Sequence, residues 1–331
     1  MPIPSVEHKV LLQVRNLKKD YPVQSRLGRR ETETVKALDG VSLDISPGET
    51  FGLVGESGCG KTTLGYCVLR LIEPSSGEIC FAGRKVLELD SHSMRHLRRQ
   101  IQIVFQDPYS SLDPRMTVQD ILEEPFIIHG TASKQQQKEE AKRLLKVVGL
   151  DLSSLSKYPH QFSGGQRQRI AVARALALKP QLIVADEPVS ALDVSVQAQI
   201  INLFEELQAQ YNLAYIFISH GIPVVEYISH NIGVMYLGRL VEIGSRSEIS
   251  ENPLHPYTQI LWASVPVLND TATADIAHPL GEVPSPINPP PGCRFHTRCP
   301  FVMERCQSEV PREIQVTPTH RVSCHLIEES G

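Results

Sequence analysis

The run FGLVGESGCGKT, Phe51–Thr62, decides the fold. Phe51–Val54 has the character of a short buried strand, and it leads directly into GESGCGKT, which fits the pattern G-x-x-x-x-G-K-S/T. A helical stretch, Lys61–Leu71, follows at once. Glycines let such a loop curl until successive backbone N–H groups face phosphate oxygens, and the start of the helix adds the positive end of its dipole. In that arrangement the Lys61 ammonium reaches the outer phosphates and the Thr62 hydroxyl suits Mg2+. The bland alternative, a glycine-rich turn without a ligand, does not call for lysine and threonine at these positions.

Working outward, LIVADEP (Leu182–Pro188) reads as a second buried strand, with Asp186 and Glu187 emerging at its C-terminal end. Open α/β sheets bind ligands at that end. Asp186 is placed to hold Mg2+ through water, and Glu187 to orient or deprotonate an attacking water. FSGGQRQR (Phe162–Arg169) opens a long helix, where Ser163 and the amides of Gly164 and Gly165 form another anion-receptive start. Alone, Ser-Gly-Gly is a capping sequence. Two phosphate-binding helix starts in one chain do not easily serve one nucleotide, so a head-to-tail dimer is expected, each nucleotide lying between two subunits.

Strand-like runs at Phe51–Val54, Ile101–Phe105, Leu182–Ala185 and Tyr215–Ile218 alternate with helical ones at Lys61–Leu71, Lys138–Val148, Gln166–Leu178 and Val196–Gln210. That alternation predicts an α/β core with a largely parallel sheet. Between residues 107 and 178 strand signals give way to helical ones, which predicts a helical subdomain inserted into the core. Arg26–Thr34 reads as a polar loop. Of the 331 residues 41% are hydrophobic, and 33 basic side chains face 37 acidic ones, a balance that gives no strong attraction to nucleic acid or anionic lipid. MPIPSVEHKV has no basic n-region followed by an apolar stretch, so no secretory signal is expected. Leu213–Gly238 is too interrupted, by His220, Gly221, Pro223, Glu226 and His230, to span a membrane.

Taken in order, GESGCGKT, FSGGQ, LIVADEP, SALD and ISH resemble the ATP-binding subunits of ABC transporters over about residues 10–245. The resemblance implies a P-loop NTPase core of the ABC ATPase type, with ATP contacted by Tyr21 stacked on adenine and by Gly55, Glu56, Ser57, Gly58, Cys59, Gly60, Lys61, Thr62 and Thr63. It further implies that Ser163, Gly164, Gly165 and Gln166 form the signature facing the partner subunit's ATP, and that Asp193 sits in the D-loop. Thr62, Gln106 and Asp186 then attend Mg2+, and Glu187, Gln106 and His220 attend the reaction. One departure from the family pattern is Gly221, where an Asp usually follows the switch histidine.

QDPYSSLDPRMTVQDILEEP (Gln106–Pro125), HPYTQILWASVP (His255–Pro266) and GEVPSPINPPPGC (Gly281–Cys293) resemble ATPases of the dipeptide, oligopeptide and nickel import branch. The resemblance implies a peripheral subunit at the cytoplasmic face of the membrane. Its expected partners are a second, related ATPase in a heterodimer, two membrane permease subunits and an extracytoplasmic substrate-binding protein, with no nucleic acid. Peptide import is the main reading and nickel import the alternative. A soluble ABC ATPase of translation or DNA repair is less favoured, because such proteins carry two cassettes or long insertions between motifs that this chain lacks.

From Ser250 the texture changes: 12 of the 24 prolines and four of the seven cysteines fall there. The division expected is an ABC ATPase domain over 1–249 and a small, irregular accessory domain over 250–331, with one short helix at His255–Ala263. The accessory region carries none of the ATP motifs. Cys293, Cys299, Cys306 and Cys324 lack the tight Cys-x-x-Cys pairs of zinc sites. Four separated thiolates on irregular backbone suit a 4Fe–4S cluster, and the tail resembles that of importer ATPases carrying one; four reduced, partly buried thiols are a nearly equal reading, and zinc a third.

Overall fold

The computed structural model describes residues 10–22, 34–265 and 281–328, so most of the polar stretch Arg26–Thr34 lies outside the described residues. In chain order the strands are β1 (Leu12–Pro22), β2 (Thr34–Ile45), β3 (Thr50–Val54), β4 (Ser76–Phe81), β5 (Arg84–Lys85), β6 (Ile101–Val104), β7 (Leu182–Asp186), β8 (Ala214–Ile218), β9 (Asn231–Tyr236), β10 (Arg239–Ser245), β11 (Ile314–Gln315) and β12 (Arg321–Val322). The helices are α1 (Lys61–Val68), α2 (Ser91–Leu97), α3 (Pro108–Ser111), α4 (Val118–His129), α5 (Lys134–Val147), α6 (Gly164–Leu176), α7 (Val194–Tyr211), α8 (Ile222–Ile228), α9 (Arg246–Glu251), α10 (Pro256–Ala263) and α11 (His325–Glu328). Among the described residues, no helix is long and apolar enough to cross a membrane. They gather in two compact units: one takes the chain up to Ile45, Thr50–Leu87 and everything from Ser219, the other Ser46–Glu49 and Glu88–Ile218.

In the first unit, β3 runs parallel to β9 and is buried along its whole length, as a strand covered on both faces must be. β9 continues antiparallel into β10. A separate antiparallel sheet, in the order β2-β1-β4-β5, is not legible in the sequence. Strand β1 slips register between Val14 and Leu17, and Asn16 takes a positive φ of 46° there. Its buried residues Leu12, Val14 and Leu17 therefore break the alternation that marks a strand.

Helix α1 stops at Val68, short of the predicted Leu71, because Arg70 turns into the left-handed region at φ 50° and Leu71 donates its N–H back to the Tyr66 carbonyl at 2.9 Å. Among the described residues beyond Ser250 only short elements form. Strand β12 pairs with β10, joining Val322 to Glu242. Glu242 itself is buried, and its carboxylate accepts from the Leu254 N–H at 2.7 Å, the His255 N–H at 2.9 Å and His320 Nε2 at 2.7 Å. A buried carboxylate survives only when its oxygens are satisfied in this way.

The second unit contains three parallel strands in the order β8-β7-β6, with β7 and β8 buried throughout. Between β6 and β7 the described chain is helical, and α4, α5 and α6 pack on one another. Helix α5 begins four residues before the predicted Lys138. Ser133 and Gln136 form a reciprocal capping box that starts the helix over polar residues, before the apolar spacing of Ala141, Leu144 and Leu145 begins. Helix α7 buries Ile200, Leu203 and Leu207, the face its spacing predicts.

Strand β3 tolerates no added side chain at Gly52, where a Cβ would sit 2.2 Å from Ser229 Oγ and 2.3 Å from Val225 Cγ1 of α8. Gly52→Ala is expected to lower stability by about 1–3 kcal/mol through overpacking, read as a reduced urea midpoint at unchanged slope.

Candidate functional site

The phosphate loop, the Asp186–Glu187 pair and His220 each lie at or just past the end of a buried strand. Past β3, the loop Gly55–Thr62 curls into α1, and Gly60 is the pivot: its φ is 110°, and a Cβ there would lie 2.3 Å from the Ala37 carbonyl oxygen. Only glycine permits that backbone. Lys61 is buried, and its ammonium donates to the Gly55 carbonyl at 2.6 Å and the Glu56 carbonyl at 3.1 Å. Cys59, also buried, packs beneath the loop; burial pushes its thiol up, with Lys61 pulling the other way. Thr62 is exposed at the helix start and Thr63 half-buried behind it.

Tyr21, near the end of β1, belongs to the same unit. Burial holds its phenol above the ordinary range, while a hydrogen bond with Thr63 pulls it down. The Lys19 ammonium lies 4.8 Å from the centre of its ring. His220, two residues beyond β8, is exposed. Gly221 after it donates its N–H to Ser219 Oγ at 3.0 Å and serves as the N-cap of α8. Its backbone does not demand glycine, and the nearest atom to an added Cβ is 3.5 Å away.

In the second unit β7 ends in Asp186, which is buried, and Glu187, which is half-buried. Glu187 has φ 45°, a left-handed conformation that costs a non-glycine residue of order 1–3 kcal/mol and is retained where the surroundings enforce it. Here its N–H donates to the Ile218 carbonyl at 2.9 Å, and its carboxylate accepts from Gln106 Nε2, also at 2.9 Å. The structure thus brings together two residues separated by 81 positions in the chain.

At the start of α6, Ser163 and Gln166 form a capping box: Ser163 Oγ accepts from the Gln166 N–H at 3.4 Å, and Gln166 Oε1 accepts from the Ser163 N–H at 3.1 Å. Gly164 and Gly165 occupy the first turn, where N–H groups have no partner within the helix. Arg167 ties this end down. It donates to the Pro159 carbonyl at 2.7 Å and lies 3.7 Å from the centre of the Tyr109 ring, three residues beyond Gln106. Asp193 is exposed as the N-cap of α7, and its side chain makes no capping bond.

Two residues holding the phosphate loop escape sequence reasoning. The Tyr257 hydroxyl accepts the Glu56 N–H at 2.9 Å, and Arg298 grips the Glu56 carboxylate through Nη1 at 2.8 Å and Nη2 at 3.0 Å. Separations of 201 and 242 residues leave no local signal. A related ionic knot lies nearby in sequence: Asp39 accepts from Arg239 and Arg294, each at 2.6 Å, and the guanidinium of Arg294 is pushed down to about 10 by burial.

The four tail thiols share one neighbourhood. Burial pushes Cys293 up to about 12 and Cys324 to about 11; Cys306, Cys324 and Cys299 add to the first shift, and Cys299 and Cys306 to the second. Cys299 is raised by burial and by Cys306. The Cys293 N–H donates to the Cys306 carbonyl at 2.9 Å. Among the described residues no three His, Cys, Asp or Glu side chains converge as ligands of a single metal ion.

Comparison with known proteins places these features in a family. Residues 38–190 match the family model "ABC transporter", and residues 241–306 match "Oligopeptide/dipeptide transporter, C-terminal region". Over 97% of this chain and 99% of the relative, it is 49% identical to the oligopeptide transport ATP-binding protein AppF of Bacillus subtilis. Coverage is the same for the di/tripeptide transport ATP-binding protein DppF of Pseudomonas aeruginosa, at 45% identity. A solved dimer of the ATP-binding cassette MJ0796 with ADP and Pi superposes with a TM-score of 0.63 at 29% identity, covering 71% of this chain and 99% of that one. The cassette cbiO1 from Clostridium perfringens gives the same TM-score at 27% identity, covering 74% of this chain and 92% of that one. The chain belongs to the ABC transporter ATP-binding proteins, in the branch that carries the oligopeptide/dipeptide transporter C-terminal region.

Proposed function

We propose that this chain is the ATP-hydrolysing subunit of an importer of di- and oligopeptides. It works at the cytoplasmic face of the membrane, paired with a second, related ATPase beneath two permease subunits that an extracytoplasmic binding protein supplies. What carries the hydrolytic reading is the Gln106–Glu187 hydrogen bond, which orients a carboxylate just past the end of a buried strand. The peptide cargo rests on the relatives, which are named for oligopeptide and di/tripeptide transport.

In this reading the N–H groups along Ser57–Thr63 bind phosphate oxygens, and Lys61 swings from its carbonyl partners to the β- and γ-phosphates. Tyr21, already tied to Thr63, offers its ring to adenine. The Thr62 hydroxyl, the Asp186 carboxylate and the Gln106 amide oxygen are the hard donors that Mg2+ prefers. With its Nε2 engaged by Glu187, the Gln106 side chain turns its oxygen to the other branch. Mg2+, when bound, neutralises charge on the phosphates. Glu187 accepts the proton of the attacking water while His220 holds the γ-phosphate side. Ser163, Gly164, Gly165 and Gln166 face the nucleotide of the partner subunit, and Asp193 lies on the same contact. ATP binding closes the pair of subunits and hydrolysis reopens it.

A second reading concerns the tail. Cys293, Cys299, Cys306 and Cys324 are buried or half-buried thiols, and burial together with neighbouring thiols of the set raises Cys293, Cys299 and Cys324; such a donor set suits a soft, multi-iron group with one thiolate per iron. Ligation to the irons of such a cluster would stabilise the thiolate form that burial disfavours at Cys293, Cys299 and Cys324. Its role is structural or regulatory, since nothing in the hydrolysis consumes an electron.

Glu187→Gln is expected to bind ATP yet hydrolyse it at least about a hundred-fold more slowly, and to persist as an ATP-bound dimer, if necessary only with its paralogue. Turnover at the original rate would remove Glu187 from its role. The tagged protein is expected to co-purify with integral membrane proteins, and recovery with ribosomes instead would overturn the transport reading. Anaerobically purified chain is expected to be brown and to carry about four irons. Colourless, iron-free protein with normal folding would dispose of the cluster.

A further inference from the structure

The phosphate loop is gripped from behind by the C-terminal region. Glu56, its second residue, has both its backbone and its side chain engaged there. Arg298 makes a two-pronged ion pair with the carboxylate, and its guanidinium side chain is only 6% exposed against 27% for Glu56. The hydrogen bonds to Glu56 raise the Arg298 pKa further above its already high value. The buried Tyr257 hydroxyl takes the Glu56 N–H at 2.9 Å. Behind them Tyr236 packs 4.7 Å from Tyr257 and 5.3 Å from Phe295 between ring centres, and its hydroxyl accepts from Arg298 at 3.4 Å. All four of these aromatic and guanidinium side chains are buried.

Glu56 is also the residue whose carbonyl receives the Lys61 ammonium at 3.1 Å. Three groups thus fix one residue, Glu56, at the entry to the loop. Two physical consequences point the same way. A loop that recognises phosphate through its N–H directions binds more tightly when those directions are set before the ligand arrives. A carboxylate one position from the anion site repels a triphosphate unless a cation neutralises it and holds it aside. Bidentate pairing with Arg298 does both.

We infer that Arg298 and Tyr257 are positioning residues for the phosphate loop, setting its affinity for ATP without touching the nucleotide. The inference rests on the proposal that Gly55–Thr62 binds ATP. If Arg298 merely fastened the tail to the cassette, its loss would lower thermal stability and leave ATP affinity alone. As a positioning residue its loss raises the KM for ATP more than it lowers kcat.

The test is titration of the full-length chain with MgATP by calorimetry, with circular dichroism confirming the fold of each variant. Arg298→Gln is expected to weaken binding about ten-fold, Arg298→Lys less, and Tyr257→Phe a few-fold. Because the damage in Arg298→Gln comes largely from an unpaired carboxylate, adding Glu56→Gln is expected to restore most of the affinity, a rescue that a fastening role does not produce. Wild-type affinity in folded Arg298→Gln, or no rescue by the second change, would overturn the inference. Should Arg298→Gln fail to fold, Tyr257→Phe decides, and wild-type affinity there overturns it. Failure of the unsubstituted chain to bind MgATP would instead strike the proposed function itself, and the inference with it.

Discussion

Complete burial of the parallel strands β3, β7 and β8 is the constraint on which the remaining chemistry depends. Every residue of β3, β7 and β8 is buried, so polar groups can appear only where these strands end. The phosphate loop begins at the residue after Val54, Asp186 closes β7, and Glu187 is the first residue past it. Buried strands of this kind are apolar runs without alternation, and the first polar residue marks where the sheet gives out. The candidate site residues sit at those boundaries, where the backbone is free of the ladder and yet anchored by it.

Several charged groups at or near the interior are held by partners. Glu242 has two backbone N–H donors and a histidine, Asp39 has two arginines, and Glu56 has Arg298. Ion pairs of this sort add little net stability, but removing one partner is costly. They make the region after Ser250 specific to its place within the first unit, which the proline-rich backbone, poor in regular hydrogen bonds, does not achieve alone. The pairing of β12 with β10 serves the same end with backbone atoms.

Much of this was legible in the sequence. The strands at 50–54, 101–104, 182–186 and 214–218 fall where apolar runs predict them, and α7 and α10 fall within two residues of their expected bounds. Misses have local causes. Strand β1 carries a register slip that hides its period, α5 starts on a capping box rather than on apolar spacing, and α1 is cut short by a left-handed residue. The FSGGQ segment was legible as a helix cap, and the capping box between Ser163 and Gln166 is the physical form of that signal.

By itself the sequence determined the chemistry on offer: a glycine loop ending in Lys61 and Thr62, paired acids after a buried strand, a capped Ser-Gly-Gly helix and four spaced cysteines. Those signals are local, written in composition and spacing within a few residues, and so can be read without a fold. Tertiary structure alone decided who meets whom. It joined Gln106 to Glu187, gave Glu187 its left-handed backbone, and brought Tyr257 and Arg298 from a region without ATP motifs onto Glu56. Contacts across such separations depend on how sheets and helices pack, and packing leaves no trace in local spacing.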